Sequence, residues 1–330
     1  MKGAHQLASL GLPGRDAHDL ERSSASFPDG SRFRVEIPSV EGPEALEAVL
    51  DEALHRNVPV HRVSQGSGIA MQTDAEIRDM VQLGNDNHVE VCLFVGPRAA
   101  WDTGVQATSG SGGVLGGSLR GADQLLYGVE DVCRAVQLGL RSVLVADLGH
   151  LMVLGRLKAA GDLPGDLQLK VSVSLPVGNP ATARVLEDLG ATSLNLPVDL
   201  SVPVIGAIRR AVTIPVDVYI EAADDFGGVV RYYDIPDIVR VAAPVYLKFT
   251  VRNAPGSYPS GGHLRETVLA LSRERVRRAE IGLQMLTRYP DPGAELAPAG
   301  LLEQVGSAPR TSSTNGNGRR GPRPVAGSTR

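Results

Sequence analysis

Cysteine is nearly missing from the 330-residue chain, and so is lysine: two of the first, four of the second, against 29 arginines. Cys92 and Cys133 share no CxxC spacing and have no partner set for zinc or an iron–sulfur cluster, so they read as packing residues. No run approaches the length of a membrane span. The N-terminus has no apolar signal core, so the expectation is a cytoplasmic protein with no membrane association. A net charge of −4 gives no electrostatic case for nucleic acid. No GxGxxG follows the first strand-like run. The glycine-rich stretch at 108–118 is not followed by a lysine in Walker spacing, which removes both common nucleotide loops. That stretch reads as a lid, or as amides cradling an anion with Arg98 or Arg120 beside them.

What remains is a regular alternation. Hydrophobic residues make up 42% of the chain, enough to bury a full core. Short Val-, Ile- and Leu-rich runs alternate with longer amphipathic stretches, the pattern of βα units and a parallel sheet. Strands are expected at 34–40, 58–64, 90–96, 142–147, 167–175, 192–198, 215–221 and 244–249. Helices are expected at 43–56, 73–83, 129–139, 149–160, 179–189, 201–211, near 234–241 and near 263–288. Eight strands with eight following helices predict a (β/α)8 TIM-barrel-like single domain over residues 32–290. An open doubly wound sheet is the alternative. Residues 1–31 read as a flexible N-terminal segment. Residues 291–330, rich in Gly, Pro, Ser, Thr and Arg, read as a disordered tail.

In such a barrel the chemistry belongs at the C-terminal strand ends. That rule collects Glu36, Glu41, His61, Gln65, Arg98, Asp147, Ser172, Ser174, Asn195, Asp199, Tyr219, Glu221, Lys248 and Arg252. His61 lies in an apolar run and is the best-placed histidine for proton transfer, with His150 second. Glu221 closes the strand "VDVYI" and needs a partner, because a carboxylate at the end of an apolar strand is costly to bury alone. Glu36, Asp147 and Glu221 together would make an oxygen-rich site for Mg²⁺ or Mn²⁺. Salt bridges to Arg98, Lys248 and Arg252 explain the same acids without a metal. Lys248, in "VYLKF", is either a desolvated amine for Schiff-base or general-base work or the neutralising partner of an acid such as Glu221.

Three features resemble the peptidase U32 family over residues 125–222. A strand ends in Asp147-Leu148-Gly149. A strand serine, Ser172, is followed seven residues on by Asn179. "LEDLGATSLNLPVDLS" is similar to the family's Leu-Gly-Ala turn, strand and helix start. The resemblance implies a barrel-like α/β domain. It also implies an activity on collagen or other proteins, or in RNA or quinone hydroxylation, in some members with an iron–sulfur cluster. Here Ser172-Val173-Ser174 replaces Ser-Thr-Gln, and Val198-Asp199 replaces Arg-Glu. The signature strand reads Asp217-Val218-Tyr219-Ile220-Glu221-Ala222, with Glu221 where the family has His and no cysteines after it. The cluster is therefore excluded on ligand count.

The expected function is an acid–base or hydrolytic enzyme acting on a small-molecule or peptide-like substrate. His61, Glu221 and Lys248 would be the catalytic residues, and Arg98, Ser172, Asn195, Tyr219 and Arg252 would bind substrate. A metal or Schiff-base lyase or aldolase, and a non-catalytic binding barrel, are the alternatives. Oligomeric state is not encoded in any feature read here.

Overall fold

A computed structural model of the protein describes residues 2–289, apart from residues 15, 17, 18, 102–104, 108, 111, 113 and 114. Its centre is a closed barrel of eight parallel strands in sequential order. They are β1 Phe33–Pro38, β2 Arg62–Ser64, β3 Glu90–Phe94, β4 Ser142–Val145, β5 Gln168–Val171, β6 Ser193–Asn195, β7 Val216–Glu221 and β8 Val245–Phe249, with β8 pairing back onto β1. A helix α1 (Lys2–Ser9) precedes the barrel. The ring outside it is α2 Pro43–Arg56, α3 Asp74–Asp86, α4 Gly121–Gln137, α5 Leu148–Ala160, α6 Pro180–Asp188, α7 Val202–Arg209, α8 Ile235–Ala242 and α9 Arg265–Arg288. None of the described helices is long and apolar enough to cross a membrane.

Alternation along each strand sorts the side chains. Val35, Ile37, Leu169, Val171, Val216, Val218, Val245 and Leu247 pack outward in the continuous core beneath the helices. The residues between them point into the barrel, and there the composition changes. Glu36, Lys170, Asp217 and Lys248 are all buried there. Barrel interiors are commonly layered with branched apolar side chains. This one is largely polar, with a small apolar cluster of Cys92, Phe94, Leu144 and Ala146.

Helix starts follow local chemistry. Thr73 caps α3 in a reciprocal box with Glu76. The Asp147 side chain accepts the His150 N–H at the head of α5, and Asn179 does the same for Thr182 at α6. Two expected starts differ by more than two residues. Strand β2 begins at Arg62 rather than 58, although His61 already donates its N–H to the Val35 carbonyl and accepts that of Glu90. Helix α4 begins at Gly121 rather than 129. Its glycine at 128 lets the helix approach His150, whose ring carbon would lie 3.0 Å from a Cβ there.

The expected flexible segment 1–31 is partly docked. The Ser23 hydroxyl donates to the Ala243 carbonyl, and Phe27 is buried edge-on against Tyr246, 5.2 Å between centroids. Arg34 stacks on Phe27 and pairs with Asp29. One aromatic residue thus plugs the N-terminal end of the barrel, and the boundary at 32 moves earlier. The tail at 291–330 lies outside the described residues, as do Thr108, Ser111, Gly113 and Val114 of the glycine-rich stretch.

Candidate functional site

The barrel interior holds a continuous ionic network. Glu36 on β1 faces the Lys170 ammonium on β5 and contacts it through Oε2. Lys170 also reaches Asp217 on β7 at 2.9 Å. Lys248 on β8 lies 3.3 Å from the other Glu36 oxygen, Oε1. Arg62 on β2 lies 3.4 Å from both Glu36 and Asp217 and pairs with Glu90 at 2.9 Å. Ser64 donates its hydroxyl to Glu36 at 2.7 Å. Burial raises the Glu36 carboxyl, but Lys170, Lys248 and Arg62 together override it and hold the group well below the usual carboxylate range. Burial weakens the Arg62 cation, and Glu90, Tyr246, Asp217 and Glu36 more than reverse this.

Such a network is weak evidence of stability, since an apolar filling of equal volume is often as stable. Removing one member, however, leaves an uncompensated buried charge. The two lysines are not equivalent. Lys170 is flanked by two carboxylates. Lys248 shares Glu36 with Lys170, and the ring of Tyr219 lies over its ammonium, 4.3 Å from the centroid.

Tyr219 belongs to the rim above this network. Burial raises its phenol, Glu36 raises it further, and a hydrogen bond from Asn195 on β6 acts the other way. The phenol therefore stays a proton donor. Asn195 is buried, and its Oδ1 has no hydrogen-bond partner. Ser172 is buried at the end of β5, its hydroxyl accepting the Ser174 N–H at 3.2 Å. Asn195, Tyr219 and Lys248 thus present an amide, a phenol and an amine from three consecutive strands.

A second set of polar groups lies across the mouth, above β1 and β2. Glu41 accepts the Gly66 and Ser67 N–H groups at 2.6 and 3.0 Å. Burial pushes its carboxyl up, against those bonds and the Arg275 cation on α9. Arg98 stacks between Phe94 and Trp101, 3.6 and 3.9 Å from their ring centroids, and donates to the Gly66 carbonyl. Burial draws Arg98 down to about 10, against the field of Glu41. Tyr258, on the loop after β8, meets the Ser39 hydroxyl with its own.

The structure brings Lys248, Tyr219, Asn195 and Ser172 to the mouth end, with Glu36 just beneath. It separates the other expected residues from them. His61 stands at the N-terminal end of β2, the opposite end of the barrel. Its Nδ1 accepts the Val35 N–H, and its charged neighbours are Arg34 and Asp29. Alternation along the strand also gives His61 the outward parity of Val63.

Glu221 faces away from the barrel interior for a different reason. Register along β7–β8 runs Tyr219 to Lys248 and then jumps to Glu221 opposite Phe249. Ile220 is thus an extra residue, a bulge that turns Glu221 onto the outward face that Phe249 shares. There it accepts the Tyr232 hydroxyl at 2.6 Å and the Arg252 N–H at 2.8 Å, with Arg278 of α9 at 3.7 Å. Asp224 holds the Arg252 side chain at 2.9 Å and the Asn253 N–H at 2.7 Å. Glu221 and Asp224 therefore brace the start of the loop after β8.

Asp147 caps α5 and also accepts the Leu119 N–H at 3.1 Å. Glu36, Asp147 and Glu221 consequently do not converge. Among the described residues no group of three or more His, Cys, Asp or Glu is arranged to hold a metal ion. Cys92 lies inside the barrel, where burial pushes its thiol up to about 12 and makes it a poor nucleophile.

Sequence reasoning passes over Lys170, Arg62, Tyr258, Arg275 and Asp217 as site residues. The first two and Asp217 had a readable signal: polar residues at alternate positions of apolar runs, as in "LQLKV" and "VDVYI". Tyr258 had none, because a loop's path over the mouth leaves no periodicity.

No family model matches the chain, and no curated protein matches it. Among solved structures, a U32 peptidase is 18% identical, with 72% of this chain and 98% of that one covered and a TM-score of 0.38. The copper homeostasis protein CutC from Streptococcus agalactiae is 16% identical, covering 65% and 98%, with a TM-score of 0.43. A 3-hexulose-6-phosphate synthase is 13% identical, covering 75% and 99%, with a TM-score of 0.40. The fold stands on the strand pairing itself, and likenesses at this level assign no activity to the chain.

Proposed function

We propose that the mouth of the barrel is an enzyme site for a small carbonyl compound, worked by imine chemistry at Lys248 in the manner of a lyase or aldolase. One observation carries the reading: of the two interior lysines, Lys248 is the one paired with a single carboxylate and packed against an aromatic ring, that of Tyr219. A buried amine beside a proton donor is what imine formation starts from. In this reading Glu36 and Tyr219 position Lys248, whose neutral amine adds to the substrate carbonyl carbon. One nitrogen proton passes to the oxygen, Tyr219 donates the second, and the oxygen leaves as water, giving the iminium. The Tyr219 phenolate takes the proton of the substrate hydroxyl beyond it, the carbon–carbon bond breaks, and its electron pair passes to the iminium nitrogen as an enamine. Tyr219 returns that proton to the enamine carbon, and water adds to the iminium to release the product carbonyl and the free amine. Asn195 holds the phenol and offers Oδ1 to a substrate hydroxyl. Arg98 and Ser172 are the polar groups for a substrate anion at the rim.

A hydrolytic reading needs His61 and Glu221 to act together. Their placement at one end of the barrel and on its outer face gives that pair no support. The test is proton exchange. Simple ketones, keto acids and sugar phosphates are incubated with protein in D2O, and loss of the α-proton signal is followed by NMR. Washout with wild type and none with Lys248→Met is the expected result. No washout with any carbonyl compound would leave a binding barrel.

A further inference from the structure

The connection from β8 to α9 takes a detour. Helix α9 packs beside β8, β1 and α2, so a short link would reach it. Instead the loop passes over the C-terminal end of β1 to that of β2. The Tyr258 hydroxyl meets Ser39 just after β1, and the Ser260 N–H donates to the Ser67 hydroxyl after β2 at 2.8 Å. The Tyr258 ring lies on Gly66, where any Cβ would overlap it. Glu41 holds the Gly66 and Ser67 amides from below, Arg98 holds the Gly66 carbonyl, and Arg275 donates to the Ser39 carbonyl at 2.9 Å. The receiving surface is therefore a built socket. Ser39 itself sits at φ 60, a backbone conformation that non-glycine residues adopt only at a cost.

Both ends of the loop have a turning point. Asn253 is left-handed at φ 54 and is tied down by Asp224, and Glu221 ties the Arg252 amide next to it. At the other end stand Gly261 and Gly262, just before α9. Between them Pro255, Gly256, Pro259 and Gly261 are exposed, Ala254, Tyr258 and Ser260 are half-buried, and Ser257 is buried.

We infer that residues 253–262 are a lid over the barrel mouth, and that Tyr258 is its latch, seated in the socket of Ser39, Gly66 and Ser67. Loops that close over a site commonly move as units between braced ends. Here Glu221 and Asp224 fix the hinge, and Gly66 leaves the room for the ring. The inference is independent of the chemistry proposed for Lys248.

Hydrogen exchange of the full chain, read by mass spectrometry, tests it. Tyr258→Ala empties the socket. Gly66→Ala expels the ring from the opposite side without touching the lid sequence. Both variants are expected to exchange the amides of 253–262 at least about tenfold faster, with the amides of β1, β8 and α9 within about twofold of wild type. Tyr258→Phe keeps the ring and should fall between. Unchanged lid exchange in Tyr258→Ala and Gly66→Ala overturns the inference. So does loss of protection across the whole barrel, or failure of Tyr258→Ala to fold, because either would make Tyr258 a core residue and not a latch.

Discussion

Tyr219 lays its ring over the ammonium of Lys248, 4.3 Å from Nζ to the ring centroid. The contact joins the sealed interior of the barrel to its mouth. Beneath it lie the shared carboxylate of Glu36 and the second lysine, and beside it lies Asn195 with an unpartnered oxygen. The lysine is 1% exposed, with the Tyr219 ring packed against its ammonium.

Removing the ring should therefore expose the amine. Tyr219→Ala is expected to let trinitrobenzenesulfonate modify Lys248 at least about tenfold faster than in wild type, whereas Tyr219→Phe should not. A cation over an aromatic face is worth roughly 0.5–2 kcal/mol, so the Phe variant keeps most of the contact. Peptide mapping of the labelled protein reads the result. Equal labelling in all three proteins would mean that the ring does not control access.

The two interior lysines should separate in stability. Lys248→Met leaves Glu36 with Lys170 and Arg62, so a loss under about 2 kcal/mol is expected. Lys170→Met leaves Asp217 with Arg62 at 3.4 Å and Glu36 with weakened partners, for a loss of about 3–5 kcal/mol. Urea unfolding of the two variants beside wild type measures both. The reverse order would mean that Lys248 carries the network.

Stability should also fall on mild acidification. Burial, reinforced by Arg34, draws His61 down to about 4 from an ordinary 6.5. Burial draws His150 to about 4 as well, against the attraction of Asp147. Both are neutral in the folded protein, so below pH 6.5 the unfolded chain binds more protons. Stability is then lost as pH falls from about 6.5 to about 4 and levels off with respect to these groups below that. The acid-induced loss in this window should shrink in His61→Gln. Identical pH profiles for wild type and the variant would contradict a buried neutral His61.

Glu221→Gln tests the brace. The amide puts a donor against either the Tyr232 hydroxyl or the Arg252 N–H, and one of them loses its acceptor. A loss of about 1–3 kcal/mol is expected, together with faster hydrogen exchange at Arg252 and Asn253. Unchanged stability and exchange would show that the carboxylate does not hold the loop. Loss of a stoichiometric metal from the variant, measured by elemental analysis, would instead mark Glu221 as a ligand.

The barrel was legible because its outward faces follow a simple rule. Runs such as "VLV" and "VYLKF" must bury against helices, and eight of them in alternation close a barrel. Lys248, Tyr219 and Asn195 were legible as strand-end residues. His61 and Glu221 were misplaced by one-residue effects that composition does not record: the strand parity that gives His61 the outward face, and a bulge at Ile220 turning one carboxylate outward. The Lys170–Glu36 contact spans half the barrel, and a pairing between strands one and five leaves no local pattern. Docking of Phe27 under the barrel was hidden for the same reason.

The most direct test of the central claim is borohydride reduction in the presence of the carbonyl panel, followed by intact mass and peptide mapping. The account predicts one stoichiometric adduct on Lys248, none on Lys170, and none in Lys248→Met. No adduct with any compound, or adducts spread over Lys2 and Lys158 with Lys248 untouched, would contradict it.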